Sequence, residues 1–394
     1  MDNIKQRFFA PCPRGLETIL QRELDALGIA SAEVTQGGVS FTGHWNALYH
    51  VNLESRVANR VLLELGHARY RTEADVYRAA YALDWPAWFD PGRTIRVKVS
   101  ARHCPLASLN FVTLRIKDAL CDKFMAACRR RPSVDTQQPD VRIDAFLDAE
   151  SVTFYLDTSG EPLFKRGYRF AQIEAPIREN LAAGMVLLSG WTPDQPFVDP
   201  MCGGGTIPLE AALIARRIAP GLRRVFAFER LRLHTPDRWN AIRAAAEARQ
   251  LAASPQPIYA SDRDEQAIQI AKRLFHAARM IQDIDVKVKQ EDFLKLDPPA
   301  PRGVMVANPP YGVRLGHSEQ SAILYAGIGN RLKQQWAGWQ VHIFTGDPKL
   351  KESIGLLPSR RIPLYNGPLE CRLYEFKIVE GSMRKHARSA NLHG

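Results

Sequence analysis

The stretch Asp199-Pro200-Met201-Cys202-Gly203-Gly204-Gly205-Thr206 lies between an apolar run ending at Val198 and a helical pattern from Thr206 to Arg217. Its glycines allow close approach of backbone to a ligand, and the free N–H groups at a helix start favour a polar group at the carboxyl edge of the preceding strand. Such a turn suits nucleotides of many kinds, so its neighbours must narrow the reading. A helical pattern at 179–189 precedes it. After it come a strand at 258–261, a helix at 265–278, strands at 286–289 and 304–307, a helix at 322–336 and a strand at 340–344. Strands and helices alternating at this spacing predict a parallel, doubly wound α/β sheet. Two runs at 361–365 and 372–379, separated by Asn366-Gly367-Pro368, add an antiparallel edge. A seven-stranded sheet over residues 160–394 is the expectation.

Three further strand ends carry polar groups. The strand after the glycine turn closes on Ser261-Asp262, and a carboxylate at that edge can accept both hydroxyls of a ribose. Asp262 lies about 60 residues beyond Asp199, against the ~20 of a dinucleotide site, which disfavours a nicotinamide enzyme. The intervening residues 218–257 then form an insertion with its own helix at 239–251. The third strand is followed by Gln290-Glu291-Asp292-Phe293, where Asp292 fits an acceptor for an adenine amine or an ordinary turn cap equally well. The fourth strand, Val304 to Ala307, runs into Asn308-Pro309-Pro310-Tyr311-Gly312. Prolines supply no N–H, so carbonyls there need another donor, and an exocyclic amine of a base is one. The Asn308 side-chain oxygen and the Pro309 carbonyl can each take one N–H, which turns the nitrogen lone pair towards an electrophile. Tyr311 can stack on a base drawn out of its helix.

The 394 residues exceed what one core organises, and the composition, 45% hydrophobic and 24% charged, is that of a globular protein. A formal charge of +11 favours an anionic partner. Neither the start of the chain nor any later run has the apolar length of an export signal or a membrane span. The six cysteines form no C-x-x-C pair and the histidines lack ligand spacing, so free thiols, a cytoplasmic location and no metal are expected. Ahead of the parallel sheet, residues 1–43 read as a small α/β unit and 44–157 as a second. In the second, Lys98, Arg115 with Lys117, and the run Arg129-Arg130-Arg131 either contact nucleic acid or are a solvated helix face and end. The basic tail Arg384 to Arg388 reads mainly as a frayed, solubilising end.

With these motifs in register, residues 160–394 resemble class I (Rossmann-like) methyltransferases that modify exocyclic amines, through DPMCGGGT and NPPYG. The whole chain is similar to their THUMP-containing RNA-modifying branch. FFAPCPRGLETILQREL resembles its ferredoxin-like segment, 44–157 its THUMP RNA-binding domain, and Lys165-Arg166-Gly167-Tyr168-Arg169 and Ala175 to Ala182 its signatures. The resemblance implies S-adenosylmethionine as methyl donor, guanine N2 of large-subunit ribosomal RNA or its assembly intermediate as acceptor, and a monomer. It implies donor contacts from Asp199, Met201, Cys202, Gly203, Gly205 and Thr206, with Asp262 at the ribose, Asp292 at the adenine and Glu179 in support. Asn308, Pro309, Pro310 and Tyr311 are the implied catalytic loop, and Arg166 and Arg169 in the signature are candidate RNA contacts, beside Lys117, Arg129 and Arg130 from the residue reading above. The branch usually has serine where Gly204 stands here. A transfer RNA guanine-N2 enzyme, a DNA adenine-N6 enzyme and an inactive assembly factor are the alternatives.

Overall fold

A computed structural model gives the fold and describes residues 5–29, 31–167, 177–282, 285–310 and 318–380. The chain forms two compact units, one from residues 1–12, 20–163 and 220–248, the other from 13–19, 164–219 and 249–394.

In chain order the first unit is built from β1 (Gln6–Pro11), most of α1 (Glu17–Ala26), β2 (Glu33–Thr35), β3 (Gly38–Gly43), α2 (Trp45–Glu54), β4 (Leu62–Arg69), α3 (Glu73–Ala82), β5 (Ile95–Ala101), α4 (Leu109–Cys128), β6 (Val141–Leu147) and β7 (Ser151–Asp157). Local chemistry sets the helix limits. The Thr72 hydroxyl and the Asp75 carboxylate cap α3 reciprocally. Ser108 accepts from Phe111 N at 3.2 Å to start α4, which ends where Arg129 turns left-handed at φ 57°. The two N-terminal modules read from sequence share one sheet of order β2-β3-β1-β4-β7-β6-β5. They join because the second edge of β1 pairs with β4, Phe8 opposite Leu63, so its backbone groups find partners on both sides. One face alternates inward, with Ile143, Ala145 and Leu147 at most 1% exposed, and α3 and α4 pack beneath β4 and β5.

The 218–257 insertion, whose destination sequence left open, sends residues 220–248 into this same unit. Its helix α7 (Pro236–Ala248) brings Trp239 against the Tyr49 ring at 5.6 Å, and Phe228 sits 4.9 Å from Tyr49 and 5.0 Å from Trp239. The Tyr49 hydroxyl accepts from Trp45 Nε1 and from the Thr235 amide, both at 2.9 Å. A buried aromatic cluster with the Tyr49 hydroxyl paired is thus completed by a segment distant in sequence.

The second unit contains α5 (Glu179–Leu188), β8 (Phe197–Asp199), α6 (Thr206–Ala215), β9 (Ile258–Asp262), α8 (Glu265–Gln282), β10 (Lys287–Gln290), β11 (Gly303–Ala307), α9 (Ser318–Gln335), β12 (Trp339–Thr345), the single turn α10 (Leu350–Ser353), β13 (Arg360–Asn366) and β14 (Leu369–Lys377). Its sheet order is β10-β9-β8-β11-β12-β14-β13, parallel up to β12 and antiparallel through β14 and β13. This is the doubly wound sheet with an antiparallel edge expected from the spacing. Gly367, at φ 62°, and Pro368 close the β13–β14 hairpin in two residues. Trp339 of β12 and Phe376 of β14 pack with Tyr325 of α9 and Trp336 just beyond it, each no more than 1% exposed. From β8 the chain winds outward through β9 to β10, then returns to β11, which leaves a crevice at the carboxyl ends of β8 and β11.

Candidate active site at the switch point of the second unit

Four strands of the second unit deliver the crevice's polar groups. β8 ends in Asp199, fully buried, whose Oδ1 accepts from Met201 N at 3.2 Å while Oδ2 is buried with no hydrogen-bond partner among the described residues. The glycine loop then turns over the end of β9, with Cys202 N donating to Ser261 O at 2.9 Å. Gly203 (φ 50°) and Gly205 (φ 82°) hold left-handed backbone for different reasons. A Cβ on Gly205 would stand 2.6 Å from the Phe275 ring, so glycine is needed for packing, whereas one on Gly203 would point into empty space. From β9, Asp262 anchors the loop, its Oδ2 accepting from Gly203 N at 2.9 Å and its Oδ1 from Asp264 N at 3.0 Å.

Gly203, Gly204 and Asp262 line a cavity of about 440 Å³ together with Met201, Cys202, Thr206, Asp292, Asn308 and Pro310. Asp292 borders the cavity and also caps a turn, accepting from Leu294 N at 3.0 Å. At the end of β11 the ladder with β12 stops at Ala307, Pro309 is buried, and the Asn308 side-chain oxygen is buried with no hydrogen-bond partner among the described residues. An acceptor left bare at the rim of a cavity is costly unless something entering that cavity donates to it. Asp199 and Gly205 sit below the lining rather than in it, and Glu179 is buried at the first turn of α5. Sequence reasoning missed the cavity's apolar wall, Ile177, Ile207, Ile270, Phe293 and Leu324, as well as Arg263. Phe293, adjacent to Asp292, was the one available signal.

Charge in the crevice is shaped by burial. Desolvation pushes the Asp199 carboxyl well above its ordinary range, and the Asp262 carboxylate adds to this against the Met201 amide. Burial, then Asp199 and Asp262, also raises the Cys202 thiol, which leaves it no nucleophile. A raised folded-state pKa means that the folded chain holds the Asp199 proton more tightly than the unfolded one, so its contribution is greatest in acid and declines as pH rises above the ordinary 3.8. Asp199→Asn should therefore gain thermal stability over the parent at pH 8, with the gap closing towards pH 4; a pH-independent gap in melting curves would contradict the burial account.

Among the proposed RNA contacts, Arg166 has a different role. Its guanidinium is 1% exposed and binds Glu210 of α6 at 3.2 Å, so it ties the entry of the second unit to the helix behind the glycine loop and offers RNA no surface. Arg129 and Arg130 are exposed at the end of α4, and Lys117 pairs with Asp118 at 2.8 Å. Arg169, Tyr311 and the tail at 384–388 lie outside the described residues. Among the described residues no group of three His, Cys, Asp or Glu side chains is placed to hold a metal, and no helix is long and apolar enough to cross a membrane.

Comparison with known proteins accords with this geometry. The family described as "RMKL-like, methyltransferase domain" matches residues 166–375, the RlmL ferredoxin-like domain residues 7–62 and the THUMP domain residues 70–157. The chain is 37% identical over 384 residues to the ribosomal RNA large subunit methyltransferase K/L of Syntrophotalea carbinolica, covering 95% of itself but 54% of that relative. It thus spans about half the length of that protein. It is 36% identical over 372 residues to the putative RNA methyltransferase slr0064 of Synechocystis, covering 94% of this chain and 96% of that one. In structure it is similar to SMU.472, a putative methyltransferase complexed with SAH, with a TM-score of 0.87, 32% identity, and coverage of 96% and 99%. Switch-point crevice, module order and full-length similarity agree: the chain belongs to the RMKL-like methyltransferase family, with RlmL-type ferredoxin-like and THUMP modules beside its methyltransferase domain.

Proposed function

We propose that this chain transfers a methyl group from S-adenosylmethionine to the exocyclic N2 of a guanine in large-subunit ribosomal RNA. The observation that carries the proposal is the bare, buried Asn308 oxygen on the wall of the cavity that also contains the glycine loop and Asp262. The donor fits the residues present. Gly203 leaves open space where a methionine chain would pass, Asp262 stands at the β9 edge for two ribose hydroxyls, and Asp292 with Phe293, Ile270 and Leu294 forms a half-polar, half-apolar slot suited to an adenine. SAH bound by the similar SMU.472 supports the same choice.

When bound, the donor supplies a methyl on a sulfonium, which needs no further activation. The chain's own residues orient the acceptor. Asn308 Oδ1 and the Pro309 carbonyl accept the two amine hydrogens, hold the nitrogen lone pair out of conjugation with the base, and stabilise the positive charge that grows on nitrogen during transfer. The proton leaves after the bond has formed, because alkylation makes the nitrogen more acidic, so no strong base is required beforehand. With the Cys202 thiol held neutral, direct in-line transfer is favoured over a covalent enzyme intermediate. Ribosomal RNA as substrate rests on the names of the K/L relatives, and on the THUMP match and net charge of +11, which favour an RNA partner. Nucleoside mass spectrometry of ribosomal RNA, transfer RNA and DNA from a deletion strain tests it. Loss of N2-methylguanosine from large-subunit RNA is expected; a loss confined to transfer RNA, or loss of N6-methyladenine from DNA, would refute the assignment.

A further inference from the structure

The open face of the first unit's sheet forms a concavity of about 1190 Å³ that the site above does not use. Strand register defines what it presents. Across one row lie Glu64, Tyr155, Asp144 and Lys98 on β4, β7, β6 and β5, and across the next His67, Thr153, Phe146 and Ser100. Their sequence neighbours Ile143, Ala145 and Leu147 point into the core. Sheet faces left to solvent are usually polar, yet this one carries three aromatic rings: Phe146 is 40% exposed, and the Phe9 and Tyr155 rings, both half-buried, are 6.3 Å apart.

Asp144 and Glu64 flank Tyr155 in the middle, with Arg60 near the first and Arg7 3.5 Å from the second, whereas Lys98, Arg69 and Arg102 are exposed towards the margins, where Asp148 and Glu150 also lie. Carboxylates in the middle repel phosphates and accept from base amines, while the marginal cations attract the backbone. A duplex hides its base faces and cannot use such rings; unstacked bases can. We propose that this face, rather than the basic end of α4, is a platform for single-stranded RNA, with bases on Phe9, Phe146 and Tyr155 and phosphates along Lys98, Arg69 and Arg102. The inference rests on the reading of the chain as an RNA-modifying enzyme and adds the form of RNA that it grips and the surface that grips it.

The test uses the full chain and fluorescence anisotropy with a short labelled RNA of mixed sequence, either as a single strand or as a blunt duplex. The single strand should bind at least roughly ten-fold tighter. Phe146→Ala should weaken it about ten-fold, as stacking of one base is worth ~1–3 kcal/mol, and Phe146→Trp should restore it, which a merely structural role would not do. Arg129→Glu with Arg130→Glu should leave it within about two-fold. Equal or tighter binding of the duplex, a Phe146→Ala effect below two-fold, or loss of binding in the α4 double variant with the face intact would overturn the proposal. Titration with S-adenosylhomocysteine, read in parallel, separates the two claims. A chain that binds the single strand on this face but no donor refutes the proposed activity alone, and one that binds donor but shows no single-strand preference refutes the platform alone.

Discussion

Asn308→Ala is expected to lower kcat by about 10²- to 10³-fold while leaving the affinity for S-adenosylhomocysteine within a factor of about three. The split follows from where the oxygen sits. It closes no hydrogen bond among the described residues, so removing it does not unravel the end of β11, and its place on the cavity wall gives it a partner only when an amine enters. Its strongest interaction then comes as positive charge develops on the attacked nitrogen, and a contact strengthened at that stage appears in kcat rather than in donor binding. Asn308→Asp is a useful companion, since a carboxylate keeps the acceptor and discards the amide N–H. Single-turnover kinetics with saturating donor measures the effect. Near-parental turnover in Asn308→Ala would remove the residue from the chemistry.

Asp262→Ala is expected to weaken donor binding by about 100-fold. Two hydroxyl hydrogen bonds to an ionised carboxylate are worth ~1.5–3 kcal/mol each, and part of that is recovered by water in an open crevice. The substitution also frees Gly203 N and Asp264 N, so the glycine loop loses the anchor that shapes it, at 2.9 and 3.0 Å in the parent. Asp262→Asn separates the two effects, as its amide oxygen still accepts one backbone N–H but cannot take both ribose hydroxyls. Calorimetric titration should place Asn between Asp and Ala. An unchanged dissociation constant in Asp262→Ala would show that the donor is held elsewhere.

What could be read from sequence follows a physical pattern. The glycine loop and Asn308-Pro309-Pro310 were legible because each breaks backbone rules locally, and a broken rule at a strand end is visible without knowing its neighbours. The cavity's apolar wall was not, since Ile270, Phe293 and Leu324 have the same periodicity as residues that merely fill cores. Arg166 illustrates the reverse error. The signature around it resembles one found beside RNA-modifying sites, and the Glu210 carboxylate that pairs with its buried charge lies on a helix far along the chain. Periodicity likewise found the helix now placed at 236–248 but not its partner, because an apolar stripe does not say which aromatic cluster it will complete. The merging of two expected modules into one sheet was invisible for a related reason: strand periodicity shows which face is buried, not which edge is shared.

Incubation of the purified chain with S-adenosylmethionine bearing a deuterated methyl group and large-subunit ribosomal RNA lacking its base methylations, followed by nucleoside mass spectrometry, probes the pocket most directly. The label should appear as N2-methylguanosine, and its rate of appearance should fall about 10²-fold or more with Asn308→Ala. Label on an adenine N6 would contradict guanine as the acceptor, and no label from a chain that calorimetry shows to bind the donor would contradict an amine held between Asn308 and Pro309.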